Sequence, residues 1–173
     1  MRNPEQMAGQ VREAAGQRSL PIDVEEIARL RGARVVYEQM NSELSGLLYR
    51  DGETVVIGVN SAHHENRQRF TIAHELGHLI LHQGRPVVLD HVVRLNFRDP
   101  LSGTATDAEE IQANRFAAEL LMPADLVRVE AGRAREARNP LDDQFEQALA
   151  QGFGVSPEAM KNRLTNLGLR SQM

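Results

Sequence analysis

Two histidines and a glutamate have the spacing of a metal-binding helix. His74 and His78 are four residues apart, and Glu75 directly follows the first of them. On an α-helix, four residues turn the chain by about 40° beyond a full turn and advance it by about 6 Å, so both imidazoles can reach one ion. This HExxH pattern is typical of zinc hydrolases in which the glutamate takes a proton from water at the metal. The sequence therefore predicts His74 and His78 as metal ligands and Glu75 as the general base.

A catalytic zinc normally has a third protein ligand and keeps one position for water. A metzincin would carry Gly and His where this chain has Leu81 and Gly84, so that class is excluded. His82 continues the helical face of the two histidines, but its offset of about another 6 Å places it beyond the ion. Asp90 and His91 follow in a segment without a clear pattern and remain open as alternatives.

A better third ligand lies on a later predicted helix. Glu110 and Asn114 are four residues apart and share one face. Glu110 would bind the metal, while Asn114 would hold the other ring nitrogen of a ligand histidine. Ala113, Ala117 and Ala118 would let this helix approach the first one closely.

Composition restricts the kind of protein and the kind of metal site. The 173 residues are 41% hydrophobic and 25% charged, with a formal net charge of −4, so neither disorder nor strong attraction to nucleic acid follows. Cysteine is absent, so the ligands must be histidines and carboxylates. No membrane-length apolar run and no signal-peptide core is present, and we expect a cytoplasmic protein with no membrane partner.

The periodicity of apolar residues predicts an α+β protein. Its mainly helical, zincin-like body carries a small antiparallel sheet beside the HExxH helix, with Asp51 and Gly52 at a hairpin turn. With the HExxH motif, we expect a zincin-like metallopeptidase domain over residues 1–139, followed by a helical, helix-turn-helix-like C-terminal subdomain over residues 140–173. The predicted helices are 4–16, 23–32, 61–82, 106–121, 124–132, 142–150 and 156–167, and the predicted strands are 34–38, 46–50, 54–59 and 87–95. Gly77 costs its helix about 1 kcal/mol relative to Ala, which predicts a close neighbour there.

Two segments together resemble the ImmA/IrrE family of metallopeptidases. They are residues 69–78 (RFTIAHELGH) and 113–123 (ANRFAAELLMP), and they occur in the order found in that family. The resemblance implies that His74, His78 and Glu110 bind Zn²⁺, with another divalent ion such as Mn²⁺ as the alternative. Many relatives carry Glu where this chain has Gln112, so Glu109 is kept as the reserve ligand.

The resemblance also implies an activity. Relatives of this kind are zinc-dependent endopeptidases that cleave helix-turn-helix transcriptional repressors, which derepresses genes of a mobile element or a stress response. The candidate donors to the oxyanion are Tyr37, Tyr49, His82 and His91, and the sequence does not rank them. A rival hypothesis is a non-hydrolytic repressor-binding or toxin–antitoxin module with a structural metal. Glu75 argues against it, since a structural site has no use for a base.

The C-terminal segment has the proportions of a helix-turn-helix and a basic end formed by Lys161, Arg163 and Arg170. Three cations are a small electrostatic footprint on a chain of negative net charge. We therefore expect the C-terminal segment to pack on the rest of the protein or to dock a repressor, rather than to bind DNA directly. Arg67 and Arg69, on the HExxH helix, could line a substrate groove, but we expect both to be solvated charges.

Overall fold

The computed structural model describes residues 3–82, 87–91, 105–136 and 143–170. Within these ranges the chain forms seven helices and four strands, which confirms the α+β prediction. In chain order they are α1 (Pro4–Ala14), α2 (Val24–Leu30), β1 (Ala33–Glu38), β2 (Leu44–Asp51), β3 (Thr54–Asn60), α3 (Glu65–Leu81), β4 (Val87–His91), α4 (Ala105–Leu121), α5 (Ala124–Glu136), α6 (Asp143–Phe153) and α7 (Pro157–Asn166). None of the described helices is both long and apolar enough to cross a membrane.

Helix starts follow the local sequence. The Asp23 side chain accepts a hydrogen bond from the backbone N–H of Glu26 at 2.9 Å and so caps α2. Ser156 caps α7 by accepting from the N–H of Ala159 at 3.1 Å. Each cap satisfies a backbone donor that the first helical turn leaves without a partner.

The sheet is mixed, with the strand order β1-β3-β2-β4. β2 pairs antiparallel with β3 and with β4, as expected, but β1 pairs parallel with β3, from Ala33 opposite Val55 to Glu38 opposite Asn60. The expectation of an antiparallel sheet is therefore corrected at β1. The connection from β1 to β2 crosses the end of β3, where the Asn60 amide donates to the carbonyls of Asn41 at 3.0 Å and Leu44 at 2.8 Å. β2 consequently begins on the far side of β3, and β1 is left beside β3.

α3 is the central helix of the fold, and residues 70–78 are all buried. It packs on the sheet and against α4. A Cβ added at Gly77 would lie 3.0 Å from the Cα and 3.2 Å from the carbonyl oxygen of Ala113. The close neighbour predicted at Gly77 is therefore the backbone of α4.

The C-terminal helices share the core of the rest of the chain. Phe153, Met160 and Leu164 are buried in the same hydrophobic cluster as the residues of α3. Arg69 donates to the carbonyl of Gly154 at 3.1 Å and to that of Ile22 at 2.8 Å. The expectation that Arg69 is a solvated charge is wrong. The predicted domain boundary at residues 139 and 140 lies outside the described residues.

Candidate metal centre

The structure brings together the three side chains that the sequence nominated as metal ligands. His74, His78 and Glu110 each offer one ligand atom, and these atoms lie within 4.8 Å of one another. α3 supplies both histidines from adjacent turns, and α4 supplies the carboxylate across the close contact at Gly77. Both histidines are buried, while the Glu110 side chain is 38% exposed. The cluster therefore opens to solvent on the α4 side.

The distances between the three groups suit a small divalent cation. Nε2 of His74 lies 3.0 Å from Nε2 of His78. The two carboxylate oxygens of Glu110 each lie 3.1 Å from one of these nitrogens. Ligands held about 2.0–2.1 Å from a tetrahedral ion lie roughly 3.3 Å apart. All three separations fall close to that value.

The hydrogen-bond partner of His74 sets its tautomer. Nδ1 of His74 lies 3.0 Å from the side-chain oxygen of Asn114, and an amide oxygen only accepts. Nδ1 therefore carries the hydrogen, and the lone pair of Nε2 faces Glu110 and His78. Asn114 occupies the supporting position that the sequence predicted for it. Lone pairs and a carboxylate that converge in this way fit a divalent cation.

The protonation states also fit a metal. Burial lowers the pKa of His78, because the charged imidazolium is poorly solvated there. Burial acts to raise the pKa of Glu110, but the neighbouring imidazoles of His74 and His78 outweigh burial and hold that pKa well below its usual range. A neutral imidazole and an ionised carboxylate are the forms that bind metal ions.

Glu75 interacts electrostatically with Arg50, whose guanidinium binds the end of α3. Glu75 is fully buried on α3 beside His74. Arg50 of β2 donates to the carbonyls of His78 and His82, both at 2.7 Å, and its charge attracts the Glu75 carboxylate. The guanidinium thus satisfies carbonyls that the end of α3 leaves open. Sequence reasoning missed Arg50, because a lone cation in a strand carries no motif.

The other candidate ligands do not join the three converging groups. Glu109 and His82 lie outside the cluster. Asp90 and His91 belong to β4, whose side chains are outside the described residues.

The two tyrosines among the candidate oxyanion donors contact carboxylates. The Tyr37 hydroxyl contacts Glu25, and burial, the largest influence, raises the pKa of Tyr37 together with that carboxylate. The Tyr49 hydroxyl bonds Asp51 at 3.4 Å. The geometry therefore does not rank the candidate oxyanion donors either.

An apolar cleft lies one helical turn from the metal cluster. The ring centroid of Phe70 is 6.3 Å from that of His74. Phe70 and Thr71 of α3 and Val155 and Ala159 of the C-terminal segment line the cleft. The polar side chains at its wall are those of Ser45, Asn66, Arg67 and Ser156. The cleft therefore offers solvent a largely apolar surface next to the helix that carries the two histidines.

Two of the three cations at the basic end of the chain are held inside the molecule. Arg163 donates to the carbonyl of Met122 at 3.0 Å and pairs with Glu119. Arg170 pairs with Glu146, which is buried. Of the three, Lys161 is exposed. The segment therefore presents less positive charge than its sequence suggests.

The chain is similar to known proteins in sequence pattern and in fold. The family model of the IrrE N-terminal-like domain, Peptidase_M78, matches residues 28–165. No curated protein sequence shows a significant match. A solved structure of a Mycobacterium tuberculosis transcriptional regulator matches with a TM-score of 0.61 and 22% identity, over 95% of this chain and 47% of that one. This chain thus spans about half the length of that regulator, and the likeness shows a shared fold.

Proposed function

The chain belongs to the family of IrrE N-terminal-like peptidase domains, and we propose that it is a zinc-dependent endopeptidase acting on a regulatory protein. The observation that carries the proposal is the convergence of His74, His78 and Glu110, together with the fully buried Glu75 that follows His74 on α3. A structural metal site needs ligands alone, whereas a hydrolytic site also needs a base. The donor set of two imidazoles and one carboxylate favours zinc, with manganese as the alternative.

A bound divalent ion would lower the pKa of a water molecule towards about 7 and polarise the scissile carbonyl group. His74, His78 and Glu110 would hold that ion through the atoms that face one another in the cluster. The buried carboxylate of Glu75 would accept the proton of the attacking water and pass it to the departing amine. Glu110, the more exposed ligand, lies on the side from which a peptide would enter.

The proposed substrate is a helix-turn-helix transcriptional repressor. Two observations support a role in regulation: the family resemblance of residues 69–78 and 113–123, and the fold shared with a protein named as a transcriptional regulator. Cleavage would derepress genes of a mobile element or a stress response in the cytoplasm. The cleft at Phe70 would receive an apolar side chain of the substrate. Because Arg163 and Arg170 have internal partners, we expect no direct role for nucleic acid.

The test compares the wild type with Glu75→Gln on a candidate helix-turn-helix repressor, chosen from a neighbouring gene where one encodes such a protein. We expect the wild type to cleave it and the variant to be slower by at least about 100-fold, the usual contribution of a general base. A chelator should abolish cleavage, and added zinc should restore it. Equal cleavage by both proteins would refute the proposed role of Glu75. Equal derepression in cells without any cleavage would instead support a non-hydrolytic repressor-binding or toxin–antitoxin module.

A further inference from the structure

His82 forms a second polar connection between α3 and α4 near the metal cluster. Its ring follows that of His78 by one helical turn, and the two Nδ1 atoms lie 3.1 Å apart. On its other side, Nε2 of His82 lies 3.3 Å from the side-chain oxygen of Gln112. The residues His78, His82 and Gln112 therefore form a continuous hydrogen-bonded chain from one helix to the other.

The side chain of Gln112 determines which atom donates in each of these hydrogen bonds. The Gln112 oxygen only accepts, so Nε2 of His82 must carry a hydrogen. In a neutral ring the Nδ1 of His82 then has a lone pair and accepts. Nδ1 of His78 must be the donor, which leaves the lone pair of its Nε2 facing His74 and Glu110.

We propose that His82 and Gln112 are positioning residues that fix the tautomer and orientation of His78 for metal binding. The proposal rests on the metal site of the proposed function. α4 then orients both histidines: Asn114 accepts from His74 directly, and Gln112 acts on His78 through His82. The side chain of His82 has no ligand role, since it lies outside the three converging groups. Loss of such an outer partner typically weakens metal binding by about 10–100-fold.

The experiment measures zinc affinity by competition with a chromophoric chelator. His82→Leu and Gln112→Leu each interrupt the hydrogen-bonded series from His78 to Gln112. We expect each variant to bind zinc about 10–100-fold more weakly than the wild type. His82→Asn places an amide oxygen near the former Nδ1 and can still accept from His78, so it should recover most of the affinity. Gln112→Glu provides a charged acceptor and should bind zinc at least as tightly as the wild type.

The matched control is Gln68→Leu on the same helix. Gln68 donates to the carbonyls of Ser61 and His63, at the end of α3 away from the metal ligands. Its loss removes hydrogen bonds of the same kind, and zinc affinity should stay at the wild-type value.

A second readout needs no metal and remains valid if a variant loses stability. NMR of the imidazole nitrogens in the metal-free protein should show His78 protonated at Nδ1 in the wild type. Gln112→Leu should populate the other tautomer of His78. A wild-type His78 protonated at Nε2, or unchanged zinc affinity in both leucine variants, would overturn the positioning role alone. A wild-type protein that binds no divalent metal would overturn the proposed peptidase function and this role with it.

Discussion

Replacing Gly77 with alanine would test whether the metal centre depends on the close approach of α3 and α4. The added Cβ would lie 3.0 Å from the Cα and 3.2 Å from the carbonyl oxygen of Ala113, and 3.3 Å from the ring of Phe116. Carbon atoms in ordinary contact are about 3.5–4.0 Å apart. Because two of the opposing atoms belong to backbone, α4 would have to retreat by roughly 0.5 Å.

Two effects of opposite sign determine the stability of the metal-free variant. Overpacking of this kind costs about 1–3 kcal/mol. Alanine in place of glycine inside a helix recovers about 1 kcal/mol. The net loss in the free energy of unfolding should therefore be roughly 0–2 kcal/mol.

The effect on metal binding should be clearer. Glu110 lies three residues before Ala113 on α4 and would move away from His78 with it. Coordination distances vary by only about 0.2 Å, so the ion would have to draw the helices back against the added methyl group. We expect zinc affinity to fall by about tenfold, which corresponds to about 1.4 kcal/mol.

The assay combines chelator competition with urea unfolding of the metal-free protein. The matched control is Gly9→Ala in α1, where an added Cβ meets no atom within 4 Å. This control should gain about 0.5–1 kcal/mol and leave zinc affinity unchanged. If Gly77→Ala gained as much stability as the control and bound zinc as tightly as the wild type, the argument from close packing would be wrong.

Three further predictions concern the tail, the metal and the pH. Arg163→Ala breaks a mostly buried ion pair and should cost about 3 kcal/mol in urea unfolding, while exposed Lys161→Ala should stay within about 0.5 kcal/mol; equal effects would contradict the packed tail. Zinc at 100 times its dissociation constant should add about 2.7 kcal/mol of stability in the wild type and none in His74→Ala, as measured by thermal unfolding; an equal gain in both would place the metal elsewhere. Burial lowers the pKa of His78 in the folded protein, so on acidification the unfolded chain takes up this proton at a higher pH than the folded one. The free energy of unfolding of the metal-free protein should therefore fall as the pH falls below 6.5. Urea unfolding as a function of pH should show this slope, and an equal slope in His78→Gln would exclude His78 as its source.

The geometry of the candidate site could be predicted where it depends on local periodicity. Helical spacing places His74 and His78 on one face of α3 and Glu110 and Asn114 on one face of α4. Gly77 signalled the contact between these faces, since a glycine inside a helix needs a compensating neighbour. The sequence could therefore nominate the three converging groups before their distances were known, whereas their roles remain predictions.

The remaining features depend on contacts between distant segments. Arg50 and the end of α3 are 28 residues apart at their nearest hydrogen bond, and His82 and Gln112 are 30 apart. No local pattern shows which strand edge will face a helix end or which amide will reach a ring. β1 presents the same difficulty. Its alternating apolar and polar residues indicate a strand, but they do not show which neighbouring strand it will pair with. Arg69 was misjudged for this reason too: its acceptors come from Ile22 and Gly154, at opposite ends of the chain.

The guanidinium of Arg69 makes α3 sensitive to deletions far from it in the sequence. A shortened gene product that stops before residue 143 would lack the Gly154 carbonyl and leave the half-buried Arg69 with one acceptor fewer. It would also lack Val155 and Ala159, which line one cleft with Phe70, a single turn from His74. We therefore expect nonsense mutations late in the gene to impair metal binding as well as stability, although they leave every proposed ligand intact.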